Sequence, residues 1–498
     1  MRRFSFWFLL FFLLDHAVLC AQEDPDGYAA FRRQYEQEYD DFRRQRMEEY
    51  AAFRREANEQ YAQWLGERWV VMKAEEGLTL PPQPKPPLPL VQKEGDLPPR
   101  DVALPYTAIE DLKEAPESID VPDLILTPQQ TEDEVVVDFY AQKLTLRLAR
   151  GASALRLRST TERDVRETWT KFSKGGYDAL VQDCMTQKKR QHLCDWSYIQ
   201  LCHGAALSVF GSNSTNDAVL LQAFLLTQSG YELRLAEADG RLSLLIPFDH
   251  TIYNYSYLTI DEKRYYVIDG RKKGQFRVVD HGFPQGSRSS ILIARQPQLA
   301  MKATAARTFG GDGRYPEMQV TLGTNLNLID FYSHYPLSDA WSSYARASLS
   351  ESTKAKLYPA LRTLIAGKSK QKATDMLLDF VQHAFDYKTD IEQFGHERPM
   401  FGDESFFYPY NDCEDRSILF VILVRELLGL DVVLLHYPGH LATAVDLGPS
   451  VQGDHVTLKG RRFTVCDPTY LGATLGESMP QFKGQNVKIL LLDEIESK

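Results

Sequence analysis

The chain has 498 residues, of which 43% are hydrophobic and 25% charged, a composition typical of folded globular proteins and unlike that of disordered ones. Its length corresponds to about three domains of roughly 150 residues. The net charge of −11 and the pI of about 5.6 argue against a nucleic-acid partner bound to a basic face. Six cysteines in a chain of this length exclude a small disulfide scaffold.

Residues 1–21 have the layout of a secretory signal peptide. Two arginines precede the apolar run 4–14, and small or apolar residues lead to Ala21. This run is too short to span a membrane as a helix, which needs about 20 apolar residues. A lipoprotein signal that ends at Cys20 is the alternative, but the bulky Leu19 disfavours it. We therefore expect an exported protein, periplasmic or extracellular, that is soluble or associated with a surface.

Residues 22–74 are predicted to form one long helix, because the segment 28–66 repeats every 11 positions. An 11-residue period gives about 3.67 residues per turn, which keeps the repeated aromatic side chains on one face. These aromatics are Tyr28, Phe31, Tyr39, Phe42, Tyr50, Phe53, Tyr61 and Trp64. Because charged residues fill the opposite face, the aromatic stripe needs a partner. The alternatives are packing on its own protein, self-association as a coiled coil, and docking on another surface.

Nine prolines between residues 81 and 105 predict an extended, semi-rigid linker over 75–119. Beyond this linker the residue pattern predicts three further segments. Residues 120–281 are predicted to mix strands and helices in one domain. Residues 282–350, with short apolar runs between glycines, are predicted to be a β-rich connector. The last segment, 351–498, begins with helices and ends with strands.

The segment 408–429 predicts a buried helix with a cysteine in its first turn. Turn and capping residues end at Asp412, the run 418–428 is almost wholly apolar, and Gly429 follows it. The unsatisfied N–H groups at a helix start favour a thiolate and can also bind a negatively charged oxygen. Cys413 is therefore a candidate nucleophile. Its acidic neighbours oppose a second negative charge, so a nearby histidine is needed to activate the sulfur.

A histidine and an aspartate follow at equal intervals. His440 begins a predicted strand after a Pro-Gly turn, and Asp467 ends a further predicted strand, each 27 residues after the previous candidate. A cysteine nucleophile needs a base, and the base needs a third group to orient it. We predict that Cys413 is the nucleophile, His440 the general base and Asp467 the orienting residue. His436, at the end of the preceding strand, is the alternative base.

Three sequence blocks, YNDCEDRS, YPGHLATAV and VCDPTYLGA, resemble the signature blocks of the transglutaminase-like superfamily. The resemblance covers roughly residues 360–498. It implies an α+β, papain-like fold in which the helix with Cys413 packs on an antiparallel sheet with His440 and Asp467. It also implies acyl transfer through a thioester. The family includes protein cross-linkers, peptidases, amide hydrolases and N-acyl transferases, so the substrate stays open among peptide, isopeptide and cell-wall amide bonds.

The proposed reaction requires no cofactor or metal, but it needs a second donor for the oxyanion besides the Cys413 amide. Gln393, Tyr408 and Tyr410 are the candidates. For an exported enzyme we expect hydrolysis of a peptide or protein substrate rather than cross-linking. The alternative is a catalytically silent binding or assembly scaffold that uses the aromatic helix and the first mixed domain.

Residues 214–270 can be aligned with residues 413–468. Ser214 then takes the place of the cysteine, the final aspartate is retained, and the histidine position falls among residues 254–257. The first mixed domain is therefore predicted to be a degenerate copy that keeps the fold without the chemistry. Chance similarity between two helix–strand units is the competing explanation. A hydrolase that uses Ser214 and His250 is a further alternative.

Three cysteines, Cys184, Cys194 and Cys202, lie just before the aligned segment. Export to an oxidising compartment permits a disulfide, for which Cys184–Cys194 is the candidate pair, but the sequence does not decide the pairing of the three cysteines. The spacing of these cysteines and the nearby histidines fits no standard zinc motif, so we expect no metal there.

Overall fold

The computed structural model describes residues 25–81, 91, 101–110, 132–211, 215–248, 250–270, 274–284, 297–483, 485–493 and 495. The predicted signal peptide and most of the predicted linker lie outside these residues. Within them the chain is a mixed α+β protein in which nearly all strand pairs are antiparallel. Among the helices of this described part, none is long and apolar enough to cross a membrane.

Helices make up the larger part of the described chain. Several begin at a residue whose side chain accepts a hydrogen bond from the first turn, as Thr161, Ser350 and Ser369 do. The α-helices are, in chain order, α1 (Pro25–Leu65), α2 (Glu162–Phe172), α3 (Asp178–Arg190), α4 (Asp195–Phe210), α5 (Thr215–Gln228), α6 (Leu326–Ser333), α7 (Trp341–Arg346), α8 (Glu351–Ile365), α9 (Lys370–His383), α10 (Asp390–Phe394), α11 (Gly402–Ser405) and α12 (Cys413–Leu428).

The strands are short and form two large sheets and two hairpin-like pairs. In chain order they are β1 (Val70–Lys73), β2 (Tyr106–Glu110), β3 (Glu132–Phe139), β4 (Gln142–Ala149), β5 (Arg234–Ala238), β6 (Arg241–Pro247), β7 (Tyr257–Ile260), β8 (Lys263–Val267), β9 (Gln275–Val278), β10 (Arg307–Gly310), β11 (Gln319–Leu322), β12 (Val432–Tyr437), β13 (His440–Asp446), β14 (His455–Leu458), β15 (Arg461–Cys466) and β16 (Val487–Leu490).

The two large sheets have the same strand order. The first is ordered β7-β8-β6-β5-β9-β1 and the second β14-β15-β13-β12-β16-β2. In each, a buried helix leads into the central hairpin: α5 precedes β5–β6, and α12 precedes β12–β13. Gly230 and Gly429 follow these helices with φ of 83° and 61°, a left-handed conformation that favours glycine. The two halves differ at one edge, where β1 pairs antiparallel with β9 but β2 pairs parallel with β16.

One hydrophobic core runs through both halves of the molecule. It extends from Tyr61 on α1 through Phe224 on α5 to Leu419 on α12. A second cluster covers the other face of the second sheet and includes Tyr437 and Phe482. Successive residues of β12, such as Leu434 and Leu435, belong to different clusters, so the two clusters lie on opposite faces of the second sheet. The α12 helix belongs to the first cluster. The second sheet is thus covered on both faces.

The aromatic helix α1 is buried only at its C-terminal end. Tyr61 and Leu65 are fully buried, whereas Tyr35, Tyr39 and Phe42 stay largely exposed. The Tyr61 ring contacts other buried aromatic rings edge to face. Packing on its own protein therefore accounts for the last three turns of the stripe. Self-association or docking of the remainder stays a prediction.

Polar contacts also fix the buried end of α1. Asn58 donates to Gln228 Oε1 at 3.0 Å and accepts from Trp169 Nε1 at 3.1 Å. Asn58→Ala removes the hydrogen bonds that Asn58 makes to two buried side chains. We therefore expect a loss of about 1–3 kcal/mol in the free energy of unfolding, measured by urea denaturation. The control Gln45→Ala, on the exposed part of α1, is expected to change it by less than about 0.5 kcal/mol. Equal stabilities for the two variants would contradict a docked α1.

The structure moves two boundaries that the sequence suggested. The helix predicted over 22–74 ends at Leu65, and Val70–Lys73 forms a strand of the first sheet. The linker predicted over 75–119 contains a strand of the second sheet, Tyr106–Glu110. Both strands are short, proline-free runs with β-branched residues. One follows the 11-residue repeat and the other follows the prolines, and these longer patterns determined the predicted boundaries.

The predicted β-rich connector, 282–350, is only partly β in its described residues. Two four-residue strands, β10 and β11, are followed by helices α6 and α7. Asn325 starts α6 because its side chain accepts from the Asn327 amide. The pattern of short apolar runs did not reveal these helices, since neither exceeds eight residues.

Candidate active site

The start of α12 places Cys413 in the first turn of a buried helix, as predicted. The Asp412 amide donates to Asp415 Oδ2 at 3.2 Å, which closes the first turn. The apolar run that follows is buried throughout, and Gly429 ends the helix. Cys413 is 1% exposed. Its thiol donates a hydrogen bond to Glu414 Oε2 at 3.2 Å.

His440 and Asp467 form a buried hydrogen-bonded pair. His440 Nε2 lies 2.8 Å from Asp467 Oδ2, and Asp467 Oδ1 accepts from the Thr469 and Tyr470 amides at 3.0 and 3.3 Å. An ionised Asp467 only accepts, so Nε2 carries the imidazole proton and Nδ1 keeps its lone pair. Within the described chain, Nδ1 is buried without a hydrogen-bond partner. The imidazole is thus oriented on one side and open to a proton on the other.

Strand register explains why this pair forms. A two-residue Pro-Gly turn joins β12 to β13, so His440 lies opposite Tyr437 at the start of β13. On the other side of β13, Thr443 pairs with Cys466, the last residue of β15. Asp467 follows directly, one step nearer to His440 along the ladder. The hairpin and the neighbouring strand therefore bring the two side chains together from positions 27 residues apart.

Two hydrogen-bonded paths link the first turns of α12 to the backbone at His440 and Asp467. Ser417, one turn after Cys413, donates to the carbonyl oxygen of Leu441, the residue after His440, at 2.8 Å. Gln382 donates to the Asp467 carbonyl oxygen at 3.1 Å, and its own carbonyl accepts from Arg416 at 3.1 Å. The structure thus joins the start of α12 to the backbone of β13 and, through Gln382, to the Asp467 carbonyl, whereas the His440 imidazole packs against Phe482 of the second cluster. It does not join the Cys413 thiol to His440 by a hydrogen bond.

The site is covered. The ring of Phe482 stacks on the His440 imidazole with centroids 4.8 Å apart and planes 7° apart. His440 is 2% exposed and Asp467 1%. This cover excludes water from the His440–Asp467 bond, which strengthens it in a medium of low dielectric constant. It also keeps large molecules in solution from contacting the imidazole.

Buried acids surround the α12 start. Asp412, Glu414 and Asp415 are at most 2% exposed, and Arg416 is the buried cation beside them. Burial lowers the pKa of Arg416 to about 10, although Asp412 and Asp415 favour its charged form. Its guanidinium also donates to the Phe385 carbonyl at 2.7 Å. Arg416 therefore offsets part of the negative charge that would otherwise oppose a thiolate at Cys413.

Some of these acids belong to sets of side chains that are close enough together to hold a metal ion. Ligand atoms of Asp390, Glu397, Asp412, Glu414 and Asp415, with Cys413, form three overlapping sets within 4.8 Å. Several of these oxygens accept backbone hydrogen bonds, such as Asp390 from Arg398 and Asp415 from Met400. These bonds give the carboxylates a structural role, and we assign no metal to them.

The three candidate oxyanion donors lie before α12. The Gln393 side-chain amide donates to the Tyr410 carbonyl at 3.1 Å and accepts from the Tyr410 amide at 3.2 Å, which fixes this loop. The Tyr408 ring packs edge to face on Phe394 at 5.0 Å, beneath Arg398. Burial raises the pKa of Tyr408, so its hydroxyl stays a donor at neutral pH. The choice among the three stays a prediction.

The alternative base, His436, lies on the other face of the sheet. It pairs with Leu441 across the β12–β13 ladder, whereas Tyr437 pairs with His440. Because side chains alternate along a strand, His436 points away from the face that carries His440. Its ring packs against Trp341 with centroids 4.6 Å apart. This placement separates His436 from Asp467.

Strand register in the first half corrects one residue of the proposed degenerate copy. Arg241 begins β6 opposite Ala238, just as His440 begins β13 opposite Tyr437. Arg241, and not a residue among 254–257, therefore occupies the histidine position. The sequence contained this signal, because Gly230 precedes Arg241 by 11 residues and Gly429 precedes His440 by 11.

The other two aligned positions of the proposed copy are those of Asp269 and Ser214. Asp269 lies two residues after the end of β8, whereas Asp467 directly follows β15, and Asp269 accepts from Ser243 Oγ at 2.7 Å. Ser214 lies outside the described residues. His250, the alternative partner for Ser214, contacts Ser343 Oγ at 3.2 Å. The first half thus has an arginine and an aspartate where the second has a histidine and an aspartate.

The cysteines of the first half are not bridged as expected. Cys184, Cys194 and Cys202 are all buried thiols, so the predicted Cys184–Cys194 disulfide is absent from this described part. Cys184 is instead hydrogen-bonded to Cys202, which, with burial, raises the pKa of Cys184. Sequence spacing favoured the nearer pair, but helices α3 and α4 bring the more distant one together.

Comparison with known proteins gives no match: no family model fits the chain, and no curated protein or solved structure is significantly similar to it.

Proposed function

We propose that the protein is a cysteine-nucleophile acyl-transfer enzyme with a papain-like, transglutaminase-like C-terminal half. The observation that carries the proposal is the buried His440–Asp467 bond of 2.8 Å, with no hydrogen bond to the other imidazole nitrogen, on strands to which the helix that begins at Cys413 is hydrogen-bonded through Ser417. An oriented imidazole next to a thiol at a helix start is the arrangement that nucleophilic catalysis by cysteine requires. We propose an amide of a peptide, an isopeptide or the cell wall as substrate.

The reaction begins when the Cys413 thiol turns from Glu414 to His440 Nδ1 and transfers its proton there. The thiolate attacks the amide carbonyl carbon, and the N–H groups at the α12 start receive the negative oxygen. His440 then returns the proton to the leaving amine as the C–N bond breaks, which leaves a thioester on Cys413. Asp467 stabilises the imidazolium throughout.

Water completes the cycle in the hydrolytic version that we favour. His440 accepts a proton from the water as its oxygen attacks the thioester carbonyl. The carboxylic acid departs, and Cys413 regains its proton. An amine in place of water would give a cross-linked or transferred product by the same steps. Because the site is covered, we propose that substrate binding displaces the segment that carries Phe482.

The proposal is tested by the substitution Cys413→Ala, assayed with a panel of peptide and cell-wall-derived amides. We expect cleavage to fall at least about 10³-fold, because the nucleophile is lost. The control Cys466→Ala removes another buried cysteine, and we expect it to retain activity. If Cys413→Ala cleaves these amides as fast as the unmodified protein does, the proposal fails. An unmodified protein that cleaves none of them instead supports a catalytically silent scaffold.

A further inference from the structure

The position that corresponds to the covered site in the second half is an open cleft in the first half. This cleft has a volume of about 930 Å³ and is bounded by α4, α5, β6, the end of β8, the β3–β4 hairpin and α6. Its volume lies at the upper end of the range of roughly 300–1,000 Å³ that is typical of ligand sites. Arg241 and Asp269, the counterparts of His440 and Asp467, both line it.

The two ends of the cleft carry different groups. At one end, exposed Arg241 lies beside Asn216, whose side chain bonds the Gly240 carbonyl and the Leu242 amide at 3.0 and 2.9 Å. Asn216 thereby locks the α5 start to the β5–β6 turn and fixes the backbone from which Arg241 projects. The first-turn N–H groups of α5 add partial positive charge at the same end. Asp269 is the carboxylate at this end, and it accepts from Ser243.

The opposite end carries aromatic and acidic groups. Tyr140 donates to Gln200 at 2.7 Å, and Trp196 Nε1 donates to the His334 carbonyl at 3.1 Å. Two exposed carboxylates lie there. Asp138 is 3.4 Å from Lys143, and Asp330 is 3.8 Å from the His334 ring.

The middle of the cleft combines apolar walls with an amide side chain. Gln222 on α5 donates to the Ile199 carbonyl at 3.1 Å, and its side-chain oxygen lies 3.1 Å from His203 Nδ1. Val219 and Leu244 provide apolar surface beside it. Apolar walls with a few fixed polar groups suit a short peptide with apolar side chains.

We propose that this cleft binds a short peptide whose carboxylate is held by Arg241. A guanidinium matches a carboxylate with two parallel hydrogen bonds, and the Asn216-locked hairpin holds Arg241 at the mouth of the cleft. An arginine at this hairpin position supplies a group that recognises negative charge. This inference is independent of the reaction proposed at Cys413.

The test uses the full chain with Cys413→Ala, so that no turnover interferes, and isothermal titration calorimetry with the tripeptide Gly-Phe-Ala. We expect the free-carboxylate tripeptide to bind at least tenfold more tightly than its C-terminal amide. Arg241→Gln is expected to weaken binding of the free carboxylate to the level of the amide and to leave the amide unchanged. The matched control Arg190→Gln, an exposed arginine at the end of α3, makes the same charge change and should preserve the preference.

Equal affinities for the acid and the amide would overturn the proposal. So would an Arg241→Gln variant that retains the preference for the acid, or no binding of the free tripeptide at millimolar concentration. None of these outcomes bears on cleavage by Cys413, because the titration uses a protein without that thiol.

Discussion

Replacing His440 with alanine is expected to slow the reaction of Cys413 with iodoacetamide about 10²–10⁴-fold at neutral pH, the range that a positioned general base contributes. In the proposed reaction, Nδ1 accepts the thiol proton, and it is the imidazole nitrogen that Asp467 leaves without a hydrogen bond. The rate constant is measured on the folded protein by mass spectrometry of the alkylated chain.

The control for this prediction is His436→Ala. His436 lies on the opposite sheet face and packs against Trp341, so its loss should leave the alkylation rate within a few-fold of the original. If both histidine variants react at the same rate as the unmodified protein, His440 does not activate the thiol. If His436→Ala is the slow variant, the assignment of the base is wrong.

Arg416→Met is expected to lower the free energy of unfolding by about 3–5 kcal/mol, the usual cost of removing one partner from a buried group of charges. Arg416 is 1% exposed, and its guanidinium holds the Gln382 and Phe385 carbonyls while it faces buried acids of the α12 start. Methionine preserves much of the volume but leaves those acids without their cation. Urea denaturation at neutral pH measures the loss.

Two comparisons sharpen this prediction. Arg416→Lys keeps the charge but not the two-pronged contact, so its stability should lie between those of the original and Arg416→Met. Arg425→Met, on the same helix, removes a partner of the exposed Asp493 and should cost at most about 1 kcal/mol. Equal losses for Arg416→Met and Arg425→Met would show that the buried charge group does not need Arg416.

The elements nearest the proposed chemistry were the most predictable from the sequence. The α12 helix has capping residues, an unbroken apolar run and a terminal glycine, so its bounds follow from local signals. The Pro-Gly turn places His440 at a strand start, and Asp467 at a strand end follows from the alternation before it. Each inference depends on neighbours in the sequence.

Features set by distant contacts were not predictable in the same way. The strand Tyr106–Glu110 pairs with the edge strand β16, which is distant in the sequence, and no local sequence pattern indicates this pairing. The neighbouring thiols Cys184 and Cys202 depend on how α3 packs on α4. The Glu414 carboxylate that accepts from Cys413 is the least predictable feature of the site, since sequence shows only that the two are adjacent.

Arg241 is an intermediate case. Its distance from Gly230 was visible in the sequence, but the long segment between β6 and β7 allowed another alignment of the histidine position. Only the hairpin register, Ala238 opposite Arg241, decides between them.

The most direct measurement of the central claim is the site of alkylation in the folded protein, treated with one equivalent of iodoacetamide at neutral pH and mapped by peptide mass spectrometry. Burial raises the pKa of Cys194 to about 11 and that of Cys466 well above its ordinary value, so these thiols are poor nucleophiles at neutral pH. We predict an adduct at Cys413 before any other cysteine reacts. Modification of Cys413 only after unfolding, together with the other buried thiols, would contradict a reactive centre built from Cys413, His440 and Asp467.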